Sequence, residues 1–323
     1  MIDFNRLTDI SYFPVRLLLA LAIALGVVHI AGLVFPFAMR RLWGFMGDRR
    51  GPNRVGPFGL LQPLADGIKL LTKEDPTPTL ASRLLFLLAP AIAFMTPMLA
   101  IVVIPLSDSF TIADLNIGLL YVVAAGSFVV LGLLLGGWAS RNKYSLVGGL
   151  RSAAQMVSYE IPLILTIIVV AMLTGSLSLN DVVGAQGSVW YIAVQPLAFL
   201  VFVIAGVAEL NRTPFDLPEA ESELVSGYLT EYGGMRFALF FGLIEWGNVT
   251  IWALTASTLF LGGWQGPIAG GNPGWLVLKV LVLVFLVIWF FATFPRLQVD
   301  QLMAFAWKVL IPLTLVNLGV TGL

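Results

Sequence analysis

The chain has no cysteine and a single histidine, His29. Without thiolates it can hold neither a cysteine-ligated iron–sulfur cluster nor a disulfide. One histidine excludes a bis-histidine haem within one copy, so any electrons handled here belong to a diffusible molecule or to a partner. Charge is scarce as well: 11% of the 323 residues are Asp, Glu, Lys or Arg, where a soluble domain carries roughly 25%. The 18 basic and 18 acidic residues cancel, which leaves no positive excess for nucleic acid.

What the chain has in abundance is apolar sequence. Hydrophobic residues make up 59% of it and its mean hydropathy is +0.93. So few polar groups cannot cover a surface, and lipid must supply part of the solvent. Runs long enough to cross ~30 Å of hydrocarbon fall at about 14–39, 84–106, 117–138, 153–174, 191–210, 237–261, 275–294 and 304–322. The expected fold is therefore an all-α integral membrane protein of eight transmembrane helices, because backbone groups in lipid must be satisfied within the segment. The first run reads as a span, being too long for a signal-peptide core.

With Lys308 in the first turns of span eight, fifteen of the eighteen Lys and Arg belong to the side of the connections after spans one, three, five and seven, and none lies in the connections after spans two, four and six. The positive-inside rule puts these basic connections in the cytoplasm and both termini outside. Lys279 is expected to snorkel to the outer interface. No repeat, low-complexity tract or linker divides residues 1–323, which read as a single membrane domain. Outer connections such as GGWQGPIAGGNPG read as simple turns.

The first basic connection, RRLWGFMGDRRGPNRVGPFGLLQPLADGIKLLTKE, is the most distinctive segment. Leu61, Leu64, Ala65, Ile68 and Leu71 repeat at helical spacing opposite Gln62, Asp66, Lys69 and Lys73, which predicts an interfacial amphipathic helix. Upstream, Gly51, Pro52, Gly56 and Pro57 exclude a long helix. They predict an ordered loop presenting Arg49, Arg50, Asn53 and Arg54. Charge alone would serve as an anchor to anionic lipid. Rigid turns interleaved with charge favour docking of a soluble subunit.

Three acids fall within spans: Glu160, Glu209 and Glu245. An acid at membrane depth costs about 2.5 kcal/mol or more and is a functional candidate by default. Glu160 lies nine residues past Arg151 and Glu245 nine past Arg236, so each is roughly 13 Å along its helix. Between Glu209 and Glu245 runs a cytoplasmic loop, about 211–235, that carries Asp216, Glu219, Glu221, Glu223 and Glu231. Its acids at i, i+2 and i+4 repel unless some are protonated, and a short helix is expected over 219–230. Together these groups describe a funnel for protons: a vestibule at the inner surface, then Glu209, then Glu160 and Glu245. The plainer alternative is a solvated acidic loop, with the span acids paired to neighbouring cations. His29 reads as a packing residue.

Four stretches, RRGPNRVGPFGLLQPLADGIKLLTKED, GLRSAAQMVSYEIPL, AELNRTPFDLPEAESELVSGYLTEYGGMRFALFF and PRLQVDQLMAFAWKVLIPLTL, resemble the H subunit of bacterial NADH:quinone oxidoreductase (respiratory complex I) and its organellar counterparts, in the same order and spacing. The resemblance implies a non-redox membrane subunit of a proton-translocating enzyme, with eight spans in the bacterial inner membrane. It would touch the quinone-site subunits of the hydrophilic arm and adjacent membrane subunits. It implies a quinone substrate (ubiquinone, menaquinone or plastoquinone) and no metal, haem or flavin on this chain. In the family, quinone reaches its tunnel between the first span, the interfacial helix and span six. The corresponding interfacial helix here is Phe58–Lys73, with Gln62 and Asp66 toward the chamber, and Arg40, Arg49 and Arg296 match basic positions near the tunnel. Glu160, Glu209, Glu219, Glu221, Glu223 and Glu245 match acids of the path between quinone chemistry and proton pumping. Two departures stand out. Met39–Arg40 replaces the family's usual Glu–Arg pair and leaves Arg40 without that local partner, and the third span lacks an acid found in some members. The alternative is the related membrane anchor of an energy-converting hydrogenase or formate-hydrogen lyase. A self-contained ion carrier would need an outer half-channel, which the sequence lacks.

Overall fold

The computed structural model describes residues 13–108, 110–266 and 271–322, and the side chains of Phe13 to Arg16, Glu221, Ser222 and Phe241 lie outside that description. The described residues are helical, with no strand. Nine helices organise them. They are α1 (Phe13–Met46), α2 (Gln62–Thr72), α3 (Arg83–Ala100), α4 (Gly118–Ala139), α5 (Lys143–Thr174), α6 (Pro196–Glu209), α7 (Gly234–Phe260), α8 (Pro273–Thr293) and α9 (Val299–Thr321). Seven of these, all but α2 and α6, are long and apolar enough to cross a membrane. α6 is apolar but shorter, because the chain breaks at Gln195 (φ −129°, ψ 60°) after a single turn, Tyr191–Val194.

Polar caps set several ends. Asn142 accepts the Tyr144 amide at 2.9 Å to start α5, and Gly175 closes that helix at φ 71°, as caps of these types do. Asn272 and Pro273 start α8 in the same manner. α7 and α9 each contain a π-helical turn, at Leu239–Ile244 and Ala306–Leu310. Such turns shift the register of the residues that follow, and in α7 the next residue is Glu245.

α7 is the most deeply enclosed of the long helices, with 59% of its most apolar window buried against 17% for α9. Its residues Trp246, Val249, Ala253 and Phe260 join Phe202 and Ala205 of α6 and Tyr159 of α5 in the main core. α6 and α7 approach closely at Gly206, where a Cβ would overlap the Trp252 indole.

The acidic connection departs from expectation. In place of a helix over 219–230 it has a single turn, Glu221–Leu224, and a 3-10 turn, Gly227–Leu229. Tyr228, Leu229 and Tyr232 are buried in a second core with Phe86, Leu133 and Phe240. Tyr232 stacks on Phe86 at 4.1 Å and donates to its carbonyl at 3.1 Å. Three large apolar side chains thus draw the loop into the helix bundle, and it does not stand free as a solvated face.

Lys279 also differs from expectation. It is buried, and its ammonium donates to the carbonyls of Leu261, Gly263 (2.8 Å) and Gln265 (2.6 Å), beneath the Trp190 ring at 4.4 Å. The three carbonyls satisfy the charge inside the protein, so it has no need to reach water. The Gly-rich connection is therefore built around a cation and is more than a simple turn; its residues 267–270 lie outside the described set.

Candidate functional site

At the first basic connection, α1 continues seven residues past the expected end at 39 and so carries Arg40 and Arg41 on a helix. Arg40 pairs with Asp66 of α2 at 2.5 Å, and Gln62 donates to the other oxygen of that carboxylate at 2.8 Å. Arg40 therefore has a partner after all, supplied from the interfacial helix. Burial acts to raise the Asp66 pKa, but hydrogen bonds from Arg40 and Gln62 and the charges of Arg40 and Lys69 outweigh it and hold the carboxyl below its usual range. The polar face of α2 is thus turned toward α1, while Leu61, Leu64, Ile68 and Leu71 are exposed.

The loop before α2 is ordered by its own bonds. Arg41 donates to the Phe58 carbonyl at 2.7 Å, and Leu61 donates to that of Val55 at 3.2 Å. Gly59 has φ 81° and no room for a Cβ beneath the Pro52 carbonyl. Arg49, Arg50, Asn53, Arg54 and Phe58 are exposed on this scaffold. Trp43 stacks on Phe291 at 4.4 Å where α1 meets the end of α8. Beside them, Met46, Arg49 and Ala292 complete a groove of about 440 Å³.

The acids fall into two groups. In the connection, most are held by partners from elsewhere in the chain. Asp216 binds Arg296 at 3.0 Å and Glu223 binds Arg151 at 2.6 Å, while Glu231 accepts from Asn142 at 2.7 Å. Glu219 accepts from Tyr228 at 3.2 Å. These pairings relieve the like-charge repulsion expected from the loop's spacing. Burial and the charge of Glu219 push the Tyr228 hydroxyl well above its ordinary pKa, so it remains a donor. Glu221 keeps its backbone place in the short turn, its side chain lying outside the described set.

The span acids converge from three helices. Glu245 of α7 forms a buried ion pair with Arg212 at 2.6 Å, and the guanidinium lies over Trp246 (4.7 Å) and Phe291 (5.2 Å). Glu160 of α5 and Glu209 of α6 both reach one point on α4. Ser127 donates to Glu160 at 2.8 Å, and a Cβ on the adjacent Gly126 would come within 3.3 Å of the Glu209 carboxylate. At this point α4 offers a serine donor and a side-chain-free glycine. A small cavity of about 30 Å³ joins Glu209, Glu219, Tyr228, Glu245 and Asn248.

Sequence reasoning missed the residues that hold this arrangement. Gln155 donates to the carbonyls of Ala208 and Phe215, each at 2.7 Å, and to Asn211 at 3.1 Å, stapling the start of the acidic connection to α5. Arg212 was legible only as a lone base in an acidic loop. Its place three residues after Glu209, where an apolar run ends, was the available signal. His29 bonds the Leu25 carbonyl of its own helix at 2.7 Å.

A family model described as NADH dehydrogenase matches residues 18–322. A protein of Dehalococcoides mccartyi strain CBDB1, named as the H subunit of NADH-quinone oxidoreductase, is 52% identical over 313 residues, covering 97% of this chain and 88% of that protein. Proteins of the same name from Bacillus thuringiensis strain Al Hakam and Bacillus cereus strain AH187 are each 56% identical over 291 residues, covering 88% of this chain and 87% of theirs.

Proposed function

Since the chain belongs to the NADH dehydrogenase family, as a relative of the H subunit of NADH-quinone oxidoreductase, we propose that it forms part of a quinone tunnel and couples quinone reduction to proton pumping. It is a multi-pass membrane protein. In this reading α6 completes an eight-span fold together with the turn before it, and both termini lie outside. The hydrophilic arm docks on Arg49, Arg50, Asn53 and Arg54. Quinone passes α1, Phe58, Gln62 and Asp66, and its ring comes to rest near Arg40, Arg49 and Arg296. The groove of about 440 Å³ beside Arg49 is within the size range of small-molecule sites. The quinone accepts electrons that this chain cannot carry, and this chain's own residues answer the change in charge.

The observation that carries the coupling reading is the buried Arg212–Glu245 pair. Asp216 and Glu219 lie within electrostatic reach of it, and Asp216 is tied in turn to Arg296. A charge change at Arg296 therefore acts on Asp216, and through it on Arg212 and Glu245. Opening the inner pair leaves a carboxylate that is costly to keep as a buried anion, so proton uptake accompanies opening. Glu209 stands across the small shared cavity to receive that proton, with Glu160 beside it on Ser127.

The test is Glu245→Gln and, separately, Glu160→Gln in the assembled enzyme, scored by quinone-linked NADH oxidation and by acidification of sealed vesicles. Each should fall about tenfold or more, as loss of a proton-transferring group does, while NADH oxidation by an artificial acceptor that bypasses quinone persists. Wild-type pumping in both variants would remove the relay.

A further inference from the structure

Where α4 ends and α5 begins, the chain reverses within residues 140–142 and opens a cavity of about 490 Å³ against the start of α3. The three helices are fixed to one another at this point. Ser82 donates its amide to the Ala139 carbonyl at 3.2 Å, and a Cβ on Gly137 would overlap the Ser145 carbonyl. The cavity is therefore walled by packed helix ends.

Its lining is divided by chemistry. Leu85 of α3, Trp138 of α4 and Leu146 of α5 supply apolar surface, and Arg141 and Lys143 supply two cations. No acid lines it among the described residues. Neither cation enters an ion pair among the described residues, whereas Arg40, Arg151, Arg212, Arg236 and Arg296 each hold a carboxylate. Lys143 lies over the Tyr144 ring at 5.3 Å, which leaves its charge without an anion. α5 starts here too, so the positive end of a 32-residue helix adds to the two charges.

Position selects the ligand. α3 has 18 residues and α4 has 22, about 27 and 33 Å of helix, which matches the thickness of a hydrocarbon core. Their ends at Arg83 and Ala139 therefore lie at a membrane interface, and the cavity lies with them. Trp138 is 66% exposed and Tyr144 41%, as aromatic side chains at lipid headgroup level are. Leu88, one turn on from Leu85, and Leu150, one turn on from Leu146, are exposed leucines. Apolar surface thus leads from the cavity toward the hydrocarbon. A soluble anion has no use for that surface, and an acyl chain does. A zwitterionic headgroup would bring its own cation to a cavity with no acid to receive it.

We propose that this cavity binds the phosphodiester headgroup of an anionic phospholipid. Arg141 and Lys143 take the phosphate oxygens, and the acyl chains lie along Leu88 and Leu150. Asn142 both lines the cavity and holds Glu231 at 2.7 Å. An occupied site therefore also braces the acidic connection against the start of α5.

The experiment uses the assembled enzyme, delipidated in detergent. Acetylation of Lys143 by a small amine-reactive reagent is followed by peptide mass spectrometry as phosphatidylglycerol, phosphatidylcholine or inorganic phosphate is added. Phosphatidylglycerol should shield Lys143 and leave Lys73, which does not line the cavity, unchanged. Arg141→Asn suits the left-handed φ of 53° at this position. It should raise the phosphatidylglycerol concentration for half shielding about fivefold, the effect of one basic side chain at an anionic surface. Arg141→Lys should raise it less, because the charge remains. Equal shielding by phosphatidylcholine would overturn the recognition of charge, and shielding by inorganic phosphate alone would overturn the lipid. No shielding, equal shielding of Lys73, or a partner subunit's chain filling the cavity in a map of the complex would each overturn the site. Half shielding unchanged in Arg141→Asn would remove Arg141 from it. The wild-type titration decides the proposal by itself should that variant fail to assemble.

Discussion

Asp66 shows what one carboxylate can do at a membrane interface. It joins α2 to α1 by pairing with Arg40 and accepting from Gln62. Its carboxyl is held below the usual range. A depressed folded-state pKa contributes stability that is complete above the unfolded value, about 3.9, and is lost as pH falls through the folded one. The α1–α2 contact should therefore be insensitive to pH from about 8 down to about 5. Asp66→Asn should loosen α2 throughout that window, because the neutral amide forfeits the charge. Hydrogen exchange of amides 64–72 in the assembled enzyme measures this. The variant should exchange faster by less than about tenfold, the range of partly exposed pairs, and identical protection would show that Arg40 does not need its partner. The residue scale was unevenly legible. Glu160, Glu209 and Glu245 stood out because a charge in an apolar run is rare. Ser127 did not, because a hydroxyl in a membrane helix usually bonds its own backbone, and nothing in the sequence reveals which one meets a carboxylate.

Among the elements, lipid made the spans legible and interfaces hid their ends. A run of apolar residues has one reading at membrane depth, so seven long helices fall where hydropathy puts them. Their ends lie in polar surroundings, where composition gives no signal. α1 runs on through Arg40 and Arg41, and α5 begins at Lys143, ten residues before its expected start. α6 is shorter than its apolar run because Gln195 leaves helical geometry. The acidic connection was read by its charge, yet its fold is decided by Tyr228, Leu229 and Tyr232. Two element-level sites test the packing. Gly206→Ala puts a methyl group into the Trp252 indole and should cost at least about 1–3 kcal/mol, the range for overpacking a tight core. Lys279→Met strands the carbonyls of Leu261, Gly263 and Gln265 and should cost about 3 kcal/mol. Lys279→Arg should not restore it, because a planar fork cannot point three donors into one compact cage. Thermal denaturation of the purified complex reads all three, and a Lys279→Met enzyme as stable as the parent would mean the cage is dispensable.

Across the whole molecule, polar chemistry is gathered on one side. The side that carries fifteen of eighteen basic residues also holds the ion pairs Arg40–Asp66, Arg151–Glu223, Arg236–Asp75 and Arg296–Asp216. Those pairs bind the connections to one another. Arg49, Arg50 and Arg54 are exposed close together on one loop, and none of them enters an ion pair among the described residues. The loop that carries them is braced by Arg41, Gly59 and the end of α1. A flexible basic tail would serve a lipid surface equally well, since headgroups need charge but no fixed geometry. A braced set of guanidiniums matches a partner whose carboxylates are fixed too, because bidentate pairing demands orientation. Reversing the charge with Arg49→Glu and Arg54→Glu should therefore release the hydrophilic arm from the membrane part. Substitution by lysine, which keeps charge but not the fork, should weaken the association in part. Native-gel migration of the detergent-solubilised complex distinguishes the cases. Full assembly in the Glu variants would leave only lipid anchoring for this loop. Release by Glu with no effect of Lys would mean that charge, and not its geometry, holds the arm.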